Sequence, residues 1–362
     1  MRHDKPHNKR FRSQDRENPR YRLSEDEAEI IANYRRIQKE GHEANINPDD
    51  IHSGWIKSKS ASIYFKNPNF KQAKFVKFKD DLINELKEYA PKFKEFVKYK
   101  VKDGHCLLLS PADVHIGKLC KSFVSGEEYN KQQAVIRTLE GVNGCLQKSN
   151  GFNIDKIILV LGNDIMHVDT PSGGKTTKGT VQDVDGMFYE HLHIAKRLYI
   201  NIIETLLGVY PDLHIMYNPS NHDYLTGFLL TEIICAYFKN NKNITFDVSL
   251  QYRKYYKYGQ SKNSTLIGTT HGDGIKWDLL PMLMADECED WSSSKYRYMF
   301  AHHIHHKVAK DYVGCSLESL RSPSPADSWH SKHGYTSSNN QAIESFIFHK
   351  KHGQVARITH LF

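Results

Sequence analysis

Asp113 and His115 stand two residues apart, just after the apolar run Cys106-Leu107-Leu108-Leu109. A run of strand length ending in Asp-x-His puts an oxygen donor and a nitrogen donor at a strand's C-terminal end, where open sheets place their sites. Four later apolar runs end the same way. The run at 157–161 leads into Gly162-Asn163-Asp164, and the run at 214–217 into Pro219-Ser220-Asn221-His222-Asp223. The run at 265–268 leads into Thr270-His271-Gly272, and the run at 298–301 into His302-His303-Ile304-His305-His306. Taken singly, each ending has an ordinary explanation: a hydrogen-bonded core histidine, an Asn that forms a turn, an Asp that caps a helix. Five such endings on five successive strands point instead to one shared metal site, since carboxylate, amide and imidazole are all metal donors.

Behind these endings, strands from about residue 104 alternate with helical periods at about 127–148, 187–209 and 226–240, which is an α/β organisation. The first hundred residues differ. Residues 1–22 are basic and polar and read as a disordered arm; residues 23–76 read as a small helical module. In that module Ser24 and Glu27 form a capping box, Asn47-Pro48 starts a second helix, and a short helix is expected from Trp55 to Phe65. Three short helices with basic residues between them are compatible with a helix-turn-helix unit. Residues 77–103 read as a Lys-rich helical connector interrupted at Pro91, and 104–362 as the main domain.

Charge follows the same division. Residues 1–100 hold 23 Lys/Arg against 16 Asp/Glu, a net +7, whereas 101–362 hold 27 against 26, a net +1. A polyanion partner such as nucleic acid is therefore expected at the N-terminal part. Six scattered cysteines without a C-x-x-C pair argue for a reducing compartment, and 21 histidines favour metal chemistry. With no apolar leader segment and no apolar run near the ~18–20 residues that span a bilayer, a soluble intracellular protein is expected.

The order Asp-x-His, Gly-(x)-Asp, Asn-His-Asp, lone His and His-x-His resembles the calcineurin-like metallophosphoesterase superfamily over about residues 104–310. That resemblance implies a β-sandwich flanked by helices and two divalent ions. It implies that Asp113, His115 and His305 hold the first ion, that Asp164 bridges both, and that Asn221, His271 and His303 complete the second. His222 is then the unligated histidine beside the scissile phosphate, with Asp223 next to it to orient the ring. Two ions roughly 3.5–4 Å apart neutralise phosphate oxygens and acidify a shared water, and a protonated imidazole can assist the leaving oxygen. Manganese suits this donor mixture best, with iron, zinc or magnesium also accommodated. Two positions depart from the family pattern. Asn163 offsets the bridging acid by one residue, leaving Asp169 as a reserve candidate; His302 replaces the usual glycine, leaving His302 and His306 as alternatives to His303 and His305.

Neither arginine that marks the protein-phosphatase branch is present, since the chain has Val168-Asp169-Thr170 and Ser220-Asn221-His222-Asp223 at those motifs. The chain looks more like the double-strand-break-repair exonuclease branch of phages and bacteria. That implies a DNA phosphodiesterase, no membrane, a possible homodimer, and the cytoplasm of a bacterium or phage-infected host. The alternatives are a phosphatase on a phosphoprotein or small metabolite, and a non-catalytic DNA-binding protein on the same scaffold. The Gly/Thr/Lys-rich stretch 170–180 is too irregular for a P-loop, yet Lys175 and Lys178 could meet substrate phosphates. Asp183 and Asp185 could cap the next helix or hold a histidine, and Trp329 and His330 could stack on a base.

Overall fold

The computed structural model describes residues 103–210, 212–328 and 340–362, together with the backbone of two strands at 53–57 and 62–66. The chain divides into two units, Met1–Tyr89 and Ala90–Phe362. In the first, β1 (Ser53–Lys57) and β2 (Ser62–Lys66) pair antiparallel with Trp55 opposite Tyr64 and Ile56 opposite Ile63. This corrects the short helix expected from Trp55 to Phe65. Trp, Ile, Tyr and Phe are strand formers, and five backbone positions of each strand pair in register. The expected arm at 1–22, the rest of the module at 23–76 and the connector up to residue 102 lie outside the described residues.

The second unit is built on two sheets. The first has the order β13 (Gly353–Leu361), β12 (Ala342–His349), β3 (His105–Ser110), β4 (Ile154–Gly162), β5 (Leu213–Asn218) and β6 (Ile244–Asp247). β3 to β6 run parallel, while β12 is antiparallel to both β3 and β13. The second sheet has the order β10 (Val308–Tyr312), β11 (Cys315–Ser319), β9 (Tyr296–Ala301), β8 (Thr265–Thr270) and β7 (Arg253–Tyr258), with β8, β9 and β11 parallel.

The sheets close on a shared core. Cys106 and Leu108 of β3, Ile158 and Val160 of β4 and Met216 of β5 meet Ile267 of β8 and Phe300 of β9, with Phe346 and Phe348 of β12 filling the middle. The Phe300 and Phe346 rings lie 4.4 Å apart. Because strands alternate faces, the neighbours Leu266 and Met299 point outward and pack with Leu280 and Met284 of the helix α5 (Leu280–Glu287). On the outer side of the first sheet, α2 (Lys131–Lys148) packs on β12 and β13, α4 (Tyr224–Phe238) on β4, and α3 (Phe188–Val209) between them; α1 (Ser122–Ser125) is a single exposed turn. The molecule therefore has the sandwich of two sheets flanked by helices that the sequence leads one to expect. Strands covered on both faces read as continuous apolar runs, which is why the motif-bearing strands are visible in the sequence.

Phe346→Ala should lower the unfolding free energy by about 3–5 kcal/mol in urea titrations, the usual cost of emptying a fully buried aromatic site. A loss below about 1 kcal/mol would mean that the two sheets do not close on this side chain.

Candidate metal centre

The C-terminal ends of β3, β4, β5, β8 and β9 carry the five motifs, and after β3, β4 and β9 the backbone bends in an unusual way. Among the described residues, the non-glycine positions with positive φ are Asp113 (52°), His115 (51°), Asn163 (56°), Asp164 (60°), His303 (70°) and His305 (58°). Left-handed backbone costs an L-residue about 1–2 kcal/mol, so six such positions persist only where the surroundings over-determine them. The supports are visible. Asp113 N donates to Asn163 O (2.7 Å), His115 N to Asp164 O (3.0 Å) and Ile116 N to Ile165 O (2.7 Å), zipping the first motif to the second. Gly162 (φ 82°) makes the turn possible, because a Cβ there would lie 1.9 Å from Asn218 O.

The strand ends gather the donors into two carboxylate-bearing clusters and a third, His115, His167 and His222, that shares His115. Asp113, His115 and His305 form one, and Asp164, His271 and His303 the other; in each, the candidate ligand atoms lie within 4.8 Å of one another. His115 Nε2 is 3.2 Å from His305 Nε2, which is itself 3.4 Å from Asp113 Oδ1. Asp164 Oδ2 is 3.2 Å from His271 Nε2, and Asn221 Oδ1 is 2.8 Å from the same nitrogen. His303 N donates to Asp113 Oδ2 (3.3 Å), tying the second cluster to the first. All seven residues expected as ligands thus converge. They also fit metal ions: His115 Nε2 and His305 Nε2 face one another, and the buried Asp113 Oδ1 lacks a hydrogen-bond partner among the described residues.

Burial and mutual charge set the protonation. Burial alone would raise Asp113 and Asp164, but the adjacent His305 and His271, respectively, hold both carboxyls below the ordinary range. His271 is the reverse case: burial opposes its charge, yet Asp164 beside it carries it up to about 9. Burial, then the neighbouring His222, keep His115 and His167 well below the usual imidazole value.

The open alternatives resolve on contacts. Asp169 is not available as a bridge: its Oδ1 accepts from Thr226 N (2.8 Å) and its Oδ2 from Leu225 N (3.1 Å) and Thr177 Oγ1 (2.8 Å), so it anchors the start of α4. His302 turns into the core, where its Nε2 meets Ser110 Oγ at 3.1 Å and burial pushes it down to about 4. His306 is exposed, its Nδ1 donating to Ile304 O (2.7 Å). His303 and His305 are the two that join the carboxylate clusters.

One expectation needs correction. Asp223 does not orient His222. Consecutive residues at a helix start diverge, and the buried Asp223 carboxylate accepts from Met166 N (2.9 Å) and Ser220 Oγ (2.5 Å) instead; burial and the Asp164 charge push it up to about 7. The His222 ring is fixed by His167, whose carbonyl accepts from His222 Nδ1 at 2.8 Å. His222 itself lies where expected, its ring 4.7 Å from that of His115 and its backbone N donating to Asp164 Oδ1 at 2.9 Å.

Sequence reasoning missed His167, whose Nδ1 lies 3.3 Å from His115 Nδ1 and whose ring stacks on His222. Its place three residues after Asp164 was the available signal. It also missed Lys118, fully buried, which donates to Pro325 O (2.6 Å) and pairs with Asp327 (3.3 Å); with Ser322 Oγ donating to Asp113 O (2.8 Å), this pins the Pro-punctuated segment beneath the first motif. Asp185 accepts from Lys131 N (3.1 Å) and so caps α2 rather than the next helix, while its carbonyl receives His191 Nε2. Asp183 accepts from Ser328 Oγ (2.9 Å). Trp329 and His330 lie outside the described residues.

No family model matches this chain, and no curated protein matches it. Among solved structures it is similar to an archaeal phosphodiesterase, at 10% identity over 71% of this chain and 99% of that one with a TM-score of 0.32. It is similar to zinc-complexed wild-type Vps29 from Entamoeba histolytica, at 10% identity over 71% and 98% with a TM-score of 0.29. A predicted phosphoesterase from Streptococcus pneumoniae aligns at 9% identity over 73% and 100% with a TM-score of 0.28.

Elemental analysis after manganese loading separates the two acids. Asp164→Asn should lose at least one ion per chain, whereas Asp169→Asn should keep the wild-type metal content and lose about 0.5–2 kcal/mol of stability through α4. Equal metal loss in both would remove Asp164 from the centre. In metal-free protein, the raised pKa of His271 means that its pairing with Asp164 contributes fully below pH 6.5 and is lost as pH rises through about 9. The stability difference between wild type and His271→Gln should therefore shrink from pH 6 to pH 9 in urea titrations with chelator present; a constant difference would show the ring neutral throughout.

Proposed function

We propose that this protein is a phosphodiesterase that uses two divalent ions, with DNA as its substrate. The observation that carries the reading is the pair of donor clusters, Asp113/His115/His305 and Asp164/His271/His303, gathered from four strand ends, three of which turn on left-handed backbone. Asp164 reaches both the His222 backbone and His271, and Asn221 meets the same His271 nitrogen, so Asp164 is the candidate bridge and Asn221 the further donor of the second set. Ions held there would neutralise a phosphodiester's oxygens and acidify water for in-line attack. Oxygen and imidazole donors together suit manganese, with iron, zinc and magnesium as close competitors.

The chain's own residues supply the proton handling. Because a carbonyl can only accept, the His167 O contact fixes the proton of His222 on Nδ1 and leaves Nε2 as the atom that takes up or releases a proton at the site. The His222 ring groups with His115 and His167 and with neither carboxylate, which makes it the candidate acid for the leaving oxygen. DNA as the substrate is supported by the net +7 of residues 1–100, which adds salt-dependent affinity for a polyanion without reading its sequence.

Incubation with manganese and a bis-aryl phosphodiester, or with labelled single- and double-stranded DNA, tests the reading. Wild type should cleave both classes. Asp113→Ala should lose metal and activity together, while His222→Ala should keep its metal and lose about 10²–10⁴-fold in turnover. Equal background cleavage by all three proteins would refute the hydrolase, and cleavage of monoesters alone would transfer it to the phosphatases.

A further inference from the structure

Beside the second cluster, three groups outside the ligand set are held in one rim. The stretch 170–180 is no slack loop. Asp169 N donates to Lys175 O (2.8 Å), Thr176 N to Thr180 O (2.9 Å) and Gln182 N to Gly174 O (2.8 Å). Thr177 at its tip donates through its backbone N to Asn221 O (3.3 Å) and receives Tyr224 N on its hydroxyl (3.1 Å). Its neighbour Lys178 is 75% exposed and stands 3.6 Å from Asp273, two residues beyond His271. The loop therefore delivers one solvated cation to the edge of the metal centre.

Two aromatic rings complete the rim. Tyr224 follows His222 by two residues, and its ring centroid lies 6.3 Å from that of Tyr252 with the planes 34° apart. Tyr252 is 51% exposed, and its carbonyl accepts from Thr270 Oγ1 (2.9 Å), which precedes His271. Burial, then Tyr224 and Asp273, raise the Tyr252 phenol above its ordinary value, and Asp273 is the residue that Lys178 approaches. The half-exposed Tyr252 beside the partly buried Tyr224 makes a platform with π-faces and polar tips. Their packing gives no reason for that exposure, since neither ring closes the core.

We propose that Tyr224, Tyr252 and Lys178 form a subsite for the nucleotide flanking the scissile phosphate, the tyrosines stacking its base and Lys178 meeting its phosphate. The proposal rests on the diesterase reading and adds a preference for single-stranded or frayed ends, because only an unstacked base can reach a protein ring. The bases are taken without distinction, since each offers a π-face to the rings.

Binding to metal-free full-length protein separates this from the chemistry. Fluorescence anisotropy with a short labelled oligothymidylate should show about tenfold weaker binding by Tyr252→Ala, with wild-type affinity retained by Tyr252→Phe. A matched abasic strand should bind wild type and Tyr252→Ala alike. Lys178→Ala should weaken both strands and reduce the salt slope by about 0.7, the value for one phosphate contact on a single strand. Equal affinity of wild type for the oligothymidylate and the abasic strand would overturn the subsite, as would an unchanged Tyr252→Ala. Loss of all diester cleavage with this pattern intact would instead refute the catalytic reading and leave the subsite standing.

Discussion

Burying acids and imidazoles at the joint of two sheets is unfavourable unless they neutralise one another or a cation, and the rest of this domain is arranged around meeting that condition. Asp113 and Asp164 have lost contact with solvent, and each is answered by a histidine from the opposite sheet, His305 and His271. Because the partners come from β8 and β9 while the acids come from β3 and β4, the sandwich must close before the charges are balanced. Core packing of Phe300 on Phe346 and charge pairing at the strand ends are thus two expressions of the same sheet-to-sheet approach.

Backbone geometry makes the arrangement rigid. Six left-handed residues at one place store several kcal/mol in aggregate, and the compensation lies in the zipper of hydrogen bonds from Asp113, His115 and Ile116 to the second motif. Below it, the buried Lys118 and Asp327 act as a bolt between the first motif and the segment after β11. Removing one partner of such a pair strands the other's charge in the core, so this pair is a requirement of the fold more than a source of net stability.

The sequence made the ligand-bearing strands legible because strands covered on both faces leave unbroken apolar runs, and because donors sit immediately after each run. What stayed hidden had a physical reason in each case. β7, Arg253–Tyr258, reads as polar because its cations are satisfied laterally: Arg253 by Glu287 and Lys254 by Asp247. β12 carries Glu344 in its middle, tolerated in the core because Arg321 and Arg357 both reach it. The Trp55–Phe65 segment satisfies helix and strand patterns alike over so short a span, and only pairing decides between them. At the site, the clustered donors were readable from type and spacing, whereas the contacts of Asp223 and His167 depended on which way neighbouring residues turn after a bend, and spacing carries no such information.

The antiparallel pairing of β12 with β3 has an implication for how the chain assembles. β3 carries the first motif, yet one of its two neighbours is contributed by residues more than two hundred positions downstream. During synthesis the nascent sheet would present β3 as an open hydrophobic margin until residues 342–349 leave the ribosome. Protection by a chaperone, or late compaction, is the natural solution for a polypeptide whose earliest functional strand is the one sealed last.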